Sequence, residues 1–155
     1  LETPSFIASN IFYLYDMEII IINGPNLNLL GRRENNIYGT ETFNDFFEEL
    51  QNKYKNVKLS YFQSNIEGEL IDKIQEAEGK YDGIILNAAA YTHTSVGIAD
   101  AVRAVQTPVV EVHISNTFSR EDYRHKSYTA PHTHGVIVGF GLQSYELALL
   151  SFLQQ

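Results

Sequence analysis

From Met17 onward, short β-branched runs alternate with stretches of helical periodicity. "EIIIING" is apolar through Ile22 and stops at Gly24-Pro25, so it reads as a strand covered on both faces and ended by a breaker. "TFNDFFEELQNKY" places Phe43, Phe46, Phe47, Leu50 and Tyr54 at helical spacing, which predicts a helix capped by Thr42. "VKLSYFQS" alternates as a second strand. In "SNIEGELIDKIQEAEG", Ser64 and Glu67 fit a capping box, the stripe Ile66, Leu70, Ile71 and Ile74 predicts a helix, and Gly79 closes it. A third strand in "YDGIILNA" leads to a helix from about Thr94 through Val105. A fourth strand in "PVVEVHIS" leads to a short helix from Ser119 to about His125. A fifth strand in "GVIVGF" and a closing helix in "SYELALLSFLQ" complete the series. So few β–α units leave no room for a closed (β/α) barrel. The pattern predicts an α/β fold: a flavodoxin-like, doubly wound, five-stranded parallel sheet of order 2-1-3-4-5, with helices on both faces.

Residues 17–155 show no repeat or linker and read as a single domain. Residues 1–16 precede the only methionine, Met17, and carry no Lys or Arg before their apolar middle. They make a poor signal peptide. They are taken as an N-terminal extension, upstream of the native start or added to it. A chain of 155 residues can bury about 68–70% of its unfolded surface. The absence of cysteine excludes disulfides, thiolate catalysis and cysteine zinc sites, and fits a reducing, cytoplasmic setting. A net charge of −8 argues against nucleic acid as a partner. No apolar run approaches the ~18 residues of a membrane span.

Charge changes the picture only locally. The arginines are Arg32, Arg33, Arg103, Arg120 and Arg124, and all but Arg103 fall in two short segments. Arginine offers a rigid fork of donors suited to carboxylates and phosphates. In sheets of the predicted order, ligands bind outside the carboxyl ends of the strands. There stand "NGPNLNLLGRRENNIYG", then Gln63 and Ser64, then "NAAAYTHTS", then Glu111, His113, Ser115 and Asn116. Such a gathering of asparagine, histidine, hydroxyl and arginine marks a site.

Glu111 and His113 are two apart on a strand, so they share a face. A carboxylate beside an imidazole fixes its tautomer and favours its protonated form, and such a histidine can protonate a leaving group. The alternative is a satisfied core histidine. The backbone N–H groups of "ISN" open toward a helix and suit a substrate carboxylate. The loop after strand one is longer than a βα connection needs, and it sets Arg32, Arg33 and Tyr38 between Gly31 and Gly39. This suggests a hinged lid. Tyr38 beside an arginine is a candidate base, although spacing alone favours mere loop packing.

The runs "INGPNLNLLGRRE…YG", "FQSNIEGELIDKIQEA", "GIILNAAAYTHTSVGIADAV", "VVEVHISN…REDYR…SY" and "GVIVGFG…Y.LAL" resemble the type II 3-dehydroquinate dehydratase family from Ile19 to Leu149. The resemblance implies conversion of 3-dehydroquinate to 3-dehydroshikimate, in the shikimate pathway or in quinate breakdown, with no metal and no cofactor. It implies that Tyr38 is the base, that Arg33 keeps Tyr38 acidic, and that Asn26 holds the water that stabilises an enolate. It makes His113 the acid, oriented by Glu111. It has Asn87, His93 and Arg124 gripping the ring hydroxyls, and Ile114 and Ser115 taking the carboxylate. Asp100 would reach into a neighbouring subunit's site, in a dodecamer of trimers. Arg120 would be structural.

The other dehydratase class uses a lysine Schiff base. No lysine stands at a strand end here: Lys53, Lys55, Lys73 and Lys80 lie on or beside helices, and Lys58 begins a strand. The chain departs from the family in Asn35, where proline is frequent after "GRRE", and in "NAAA", a small steric change. His125, His132 and His134 read as exposed loop histidines. The rival reading is a flavodoxin-like FMN or phosphate-binding module without enzymatic activity. A receiver needs acidic residues at the first strand end, where this chain has Asn23, Gly24 and Pro25. An FMN carrier needs a hydroxyl-rich loop there, and none appears before Thr40.

Overall fold

The computed structural model describes residues 17–32, 35–38 and 40–154, without the side chains of Asn35 and Tyr38. Its strands are β1 (Met17–Asn23), β2 (Val57–Gln63), β3 (Gly83–Asn87), β4 (Val109–His113) and β5 (Gly135–Val138). Its helices are α1 (Asn35–Tyr38), α2 (Phe43–Lys53), α3 (Glu67–Ala77), α4 (Val96–Ala104) and α5 (Gln143–Leu153). All neighbouring strands are parallel and their order is β2-β1-β3-β4-β5, as the sequence pattern predicted.

The isoleucine run of β1 serves both faces of the sheet. Ile19 and Ile21 pack with Phe43, Phe46 and Leu50 of α2 and with Tyr145, Leu149 and Phe152 of α5. Ile20 and Ile22 pack with Leu70 and Ile74 of α3 and with Ile98 and Val102 of α4. The unbroken run is therefore what a doubly covered strand requires. Thr42 caps α2 by accepting the Asp45 N–H, and Ser95 caps α4 by accepting the Ile98 N–H.

Three local expectations differ. Ser64 and Glu67 do not form a capping box. Ser64 accepts the Ile66 N–H and donates to Glu69, while Glu67 turns away to accept from Ser95 at the start of α4. The helix expected from Thr94 begins at Val96, preceded by a 3-10 turn over Ala89–His93. The helix expected from Ser119 to about His125 is instead two 3-10 turns, Thr117–Ser119 and Asp122–Arg124.

The switch between β1 and β3 sets the floor of the site. Asn23 of β1 is in register with both Gln63 and Asn87, so three amide side chains end neighbouring strands together. Gly24 then crosses so close to β3 that a Cβ would lie 2.6 Å from the Ala88 carbonyl oxygen. No larger residue fits there without moving backbone.

Candidate active site

Beyond the carboxyl ends of β1, β3 and β4 lies a cavity lined by Asn26, Asn87, His93, His113, Ile114, Ser115, Thr117, Arg120 and Arg124, with Pro25, Leu27, Leu29, Leu30, Ala89 and Ala90 supplying apolar wall. It brings together seven residues singled out from the sequence: Asn26, Asn87, His93, His113, Ile114, Ser115 and Arg124. Arg120, expected to be structural, lines the same cavity and donates to the Ser115 hydroxyl at 3.2 Å. Asp100 does not line it; that side chain is exposed on α4 beside Arg103. Arg33, Glu34 and Gly39 lie outside the described residues, as do the side chains of Tyr38 and Asn35.

The pairing expected on β4 is present. His113 Nε2 donates to Glu111 Oε1 at 2.7 Å, in a carboxylate only 1% exposed. Glu111 Oε2 accepts from Thr129 Oγ1 at 2.6 Å and from Ser127 Oγ at 2.9 Å. Burial pushes the Glu111 carboxyl up, but hydrogen bonds from His113, Thr129 and Ser127 and the attraction of the imidazole outweigh it, so the group lies below its ordinary value. With Nε2 committed to Glu111, Nδ1 is the ring nitrogen left to serve a ligand.

His93 is oriented the other way. Its Nδ1–H donates to the Lys126 carbonyl at 2.7 Å, and its ring stacks on His113 with centroids 6.1 Å apart. Burial lowers its pKa most, and His113 and Arg124 lower it further against the opposing Lys126 hydrogen bond and Glu111. A neutral ring with Nδ1 protonated offers Nε2 as an acceptor, as a ligand hydroxyl requires.

Asn87 is held from behind. Its amide donates to Tyr145 Oη at 2.8 Å, and that hydroxyl donates to Asn23 Oδ1 at 2.8 Å. Asn87 Oδ1 accepts the Ala89 N–H at 3.1 Å. One amide hydrogen of Asn87 therefore remains for the cavity. Tyr145 is fully buried, and burial drives its phenol far above the ordinary range, so it acts as a fixed neutral bridge. Tyr145→Phe should cost about 2–4 kcal/mol, because it leaves two buried amide groups unpaired. Urea unfolding measures that loss, and a rise in KM would report the loosened Asn87. Ala89, in the "NAAA" run, adopts φ 51, a left-handed conformation that costs a residue with a Cβ about 1–2 kcal/mol. The substitution there is a backbone strain rather than a small steric change.

Asn26 also sits at positive φ, 67°, which asparagine tolerates, and its N–H donates to Asn65 Oδ1 at 2.9 Å. Gln63 bridges Asn65 Oδ1 and the Gly24 carbonyl, so the turn carrying Asn26 is tied to β2. Gly31, at φ +80, packs so tightly that a Cβ would lie 2.7 Å from the Thr40 carbonyl oxygen. The two ends of the segment carrying Tyr38 therefore meet at one point.

Arg124 donates to Glu121 at 2.9 Å. Lys126, the one lysine missing from the strand-end survey, directs its ammonium to half-buried Tyr128 and does not line the cavity. His125, His132 and His134 are exposed. Among the described residues no three or more His, Cys, Asp or Glu side chains gather where they would hold a metal ion. No described helix is long and apolar enough to cross a membrane.

An open parallel sheet with a carboxylate-backed imidazole at its switch-side cavity defines an acid–base enzyme of the flavodoxin-like class. The chain belongs to the class II dehydroquinase family, whose model matches residues 17–153. It is 54% identical over 140 residues to a 3-dehydroquinate dehydratase of Campylobacter jejuni, covering 89% of this chain and 88% of that one. It is 52% identical over 141 residues to the namesake of Helicobacter hepaticus, covering 89% of each. The crystal structure of the type II dehydroquinase of Butyrivibrio crossotus superposes with a TM-score of 0.86 at 47% identity, over 89% of this chain and 98% of that one.

The sequence did not reveal Ser127, Thr129, Tyr145 or the apolar wall. Ser127 lies in a quoted family run, but nothing in that run signals its hydroxyl's partner. The place of Arg120 on the cavity wall had one available signal, its position in the second arginine cluster.

Proposed function

We propose that the chain dehydrates 3-dehydroquinate to 3-dehydroshikimate by anti elimination through an enolate. The observation that carries this is the His113–Glu111 pair at a cavity rimmed by Asn26, Asn87, His93, Ser115 and Arg124, in a class II dehydroquinase chain. Tyr38, ionised with help from Arg33, removes a proton from the carbon beside the ketone. The electron pair moves into an enolate, stabilised through a water on Asn26. The enolate then expels the β-hydroxyl, which takes its proton from His113 Nδ1 and leaves as water. Proton return from Tyr38 to His113 through solvent restores the starting state. Asn87 donates to a ring hydroxyl, His93 Nε2 accepts from one, and Arg124 positions the ring. Ile114 and Ser115 receive the carboxylate, with Arg120 behind Ser115.

The oligomer in this reading is a dodecamer of trimers, in which Asp100 reaches a neighbouring copy's site. Its exposure on α4, away from its own chain's cavity, supports that placement. The setting is the cytoplasm, and the pathway is aromatic biosynthesis or quinate breakdown.

The test is to add 3-dehydroquinate and follow the ultraviolet absorbance of the conjugated enone. Absorbance should rise, and borohydride added with substrate should leave the enzyme active, because no lysine lines the described cavity. A flat trace would sink the reading, and reductive trapping on a lysine would overturn its mechanism. Yellow colour in the purified protein would favour a flavin carrier instead.

A further inference from the structure

We propose that the Lys126–Thr129 stretch positions both histidines of the site, and that the Thr129 hydroxyl, acting through Glu111, sets the acid limit of catalysis. The inference rests on the dehydratase reading given above. The stretch runs along the site with its backbone and side chains pointed at different partners. The Lys126 carbonyl takes the His93 Nδ1–H at 2.7 Å. The Tyr128 N–H donates to the Thr92 carbonyl at 2.9 Å, which pins the stretch beside His93. Ser127 and Thr129 then direct their hydroxyls to the far oxygen of Glu111. One short connection thus supplies an acceptor to one imidazole and donors to the carboxylate behind the other.

The chemistry of that carboxylate explains why the donors are needed. An ionised carboxyl only accepts hydrogen bonds, and three donors converge on Glu111. Glu111 is buried on the sheet face shared with Val109, and burial alone would drive it to take up a proton. Once neutral, it no longer requires His113 Nε2 to be the protonated nitrogen, and Nδ1 loses its defined role.

The groups around His113 sharpen the demand. Glu111 faces it from the same strand, and His93 faces it from the Ala89–His93 turn. Arg120 and Arg124 share its cavity from the segment after β4, with Arg124 held by Glu121. Ile137 and Val138 of β5, and His125, line a second cavity that also reaches Glu111 and His113. The nearby arginines oppose an imidazolium, so the anion behind the ring must stay ionised. Thr129 makes the shorter of the two hydroxyl bonds and is itself fully buried, so its contribution is the larger.

The experiment compares wild type, Thr129→Val, Thr129→Ser and Ser127→Ala between about pH 4 and 9, by enone absorbance and by carbon NMR of the Glu111 carboxyl. Thr129→Val should raise the midpoint of the Glu111 titration by about one pH unit and move the acid limb of kcat upward with it. KM should stay within about twofold, because an acid acting on departure contributes little to ground-state binding. Thr129→Ser should restore both curves, and Ser127→Ala should shift them in the same direction by less. A Thr129→Val enzyme with the wild-type Glu111 midpoint and acid limb would overturn the inference. If valine prevents folding, an unshifted Ser127→Ala curve overturns it equally. The NMR arm needs no substrate: an inactive wild type with the expected Glu111 shifts would sink the dehydratase reading and keep the positioning role.

Discussion

Replacing His113 with alanine should abolish measurable turnover while substrate still binds within a few-fold of wild type. A positioned general acid contributes roughly 10²–10⁴ in rate, and nothing else lining the described cavity is placed to replace it. His93, the stacked neighbour, has its pKa lowered by burial and donates its Nδ1–H to the Lys126 carbonyl. The fold should survive, because Glu111 keeps its hydroxyl donors from Ser127 and Thr129. Steady-state assay and titration calorimetry together check the prediction. Near-native kcat would remove His113 from the mechanism. Because the first proton is removed elsewhere, His113→Ala should still exchange the substrate's α-hydrogen with deuterated solvent.

Tyr38→Phe should be equally inactive and should fail in that exchange. An ordinary phenol ionises near pH 10, so a neutral-pH phenolate stands about 4 kcal/mol uphill unless a neighbouring cation favours it. Arg33 has that role in the proposed mechanism. Phenylalanine keeps the ring and loses the base, so binding should persist while both exchange and elimination stop. Mass spectrometry of recovered 3-dehydroquinate after incubation in heavy water separates the two variants. Deuterium uptake with Tyr38→Phe would place the base elsewhere.

The sheet was legible because β1, β3 and β5 are short apolar runs, because β2 alternates in "VKLSYFQS", and because breakers such as Gly24-Pro25 punctuate the chain. The pairing of Glu111 with His113 was legible too. Glu111 and His113 interrupt an apolar strand at a period of two, and only a shared face explains that spacing. What supports them was not. Thr129 bonds Glu111 across 18 positions, and Tyr145 bonds Asn23 across 122. No local periodicity encodes such a partner. Ser64 and Glu67 misled for the opposite reason. They match a local motif, but Glu69, five positions beyond Ser64, and Ser95, across at the start of α4, outcompete it. Lys126 was passed over in the lysine survey although its backbone, rather than its amine, serves the site.

The close meeting of Gly31 with Thr40 and Glu41 has a consequence for how such an enzyme can change. A loop whose feet already touch has its ring closed by the scaffold, and lengthening it costs only about 0.6 kcal/mol per doubling. In the proposed mechanism, the proton-abstracting half of the reaction can therefore be retuned by altering the intervening residues, with little strain passed to the sheet. The proton-donating half, sunk into β4, has no such freedom. Adaptation to a new temperature or substrate concentration should accumulate in the first and spare the second.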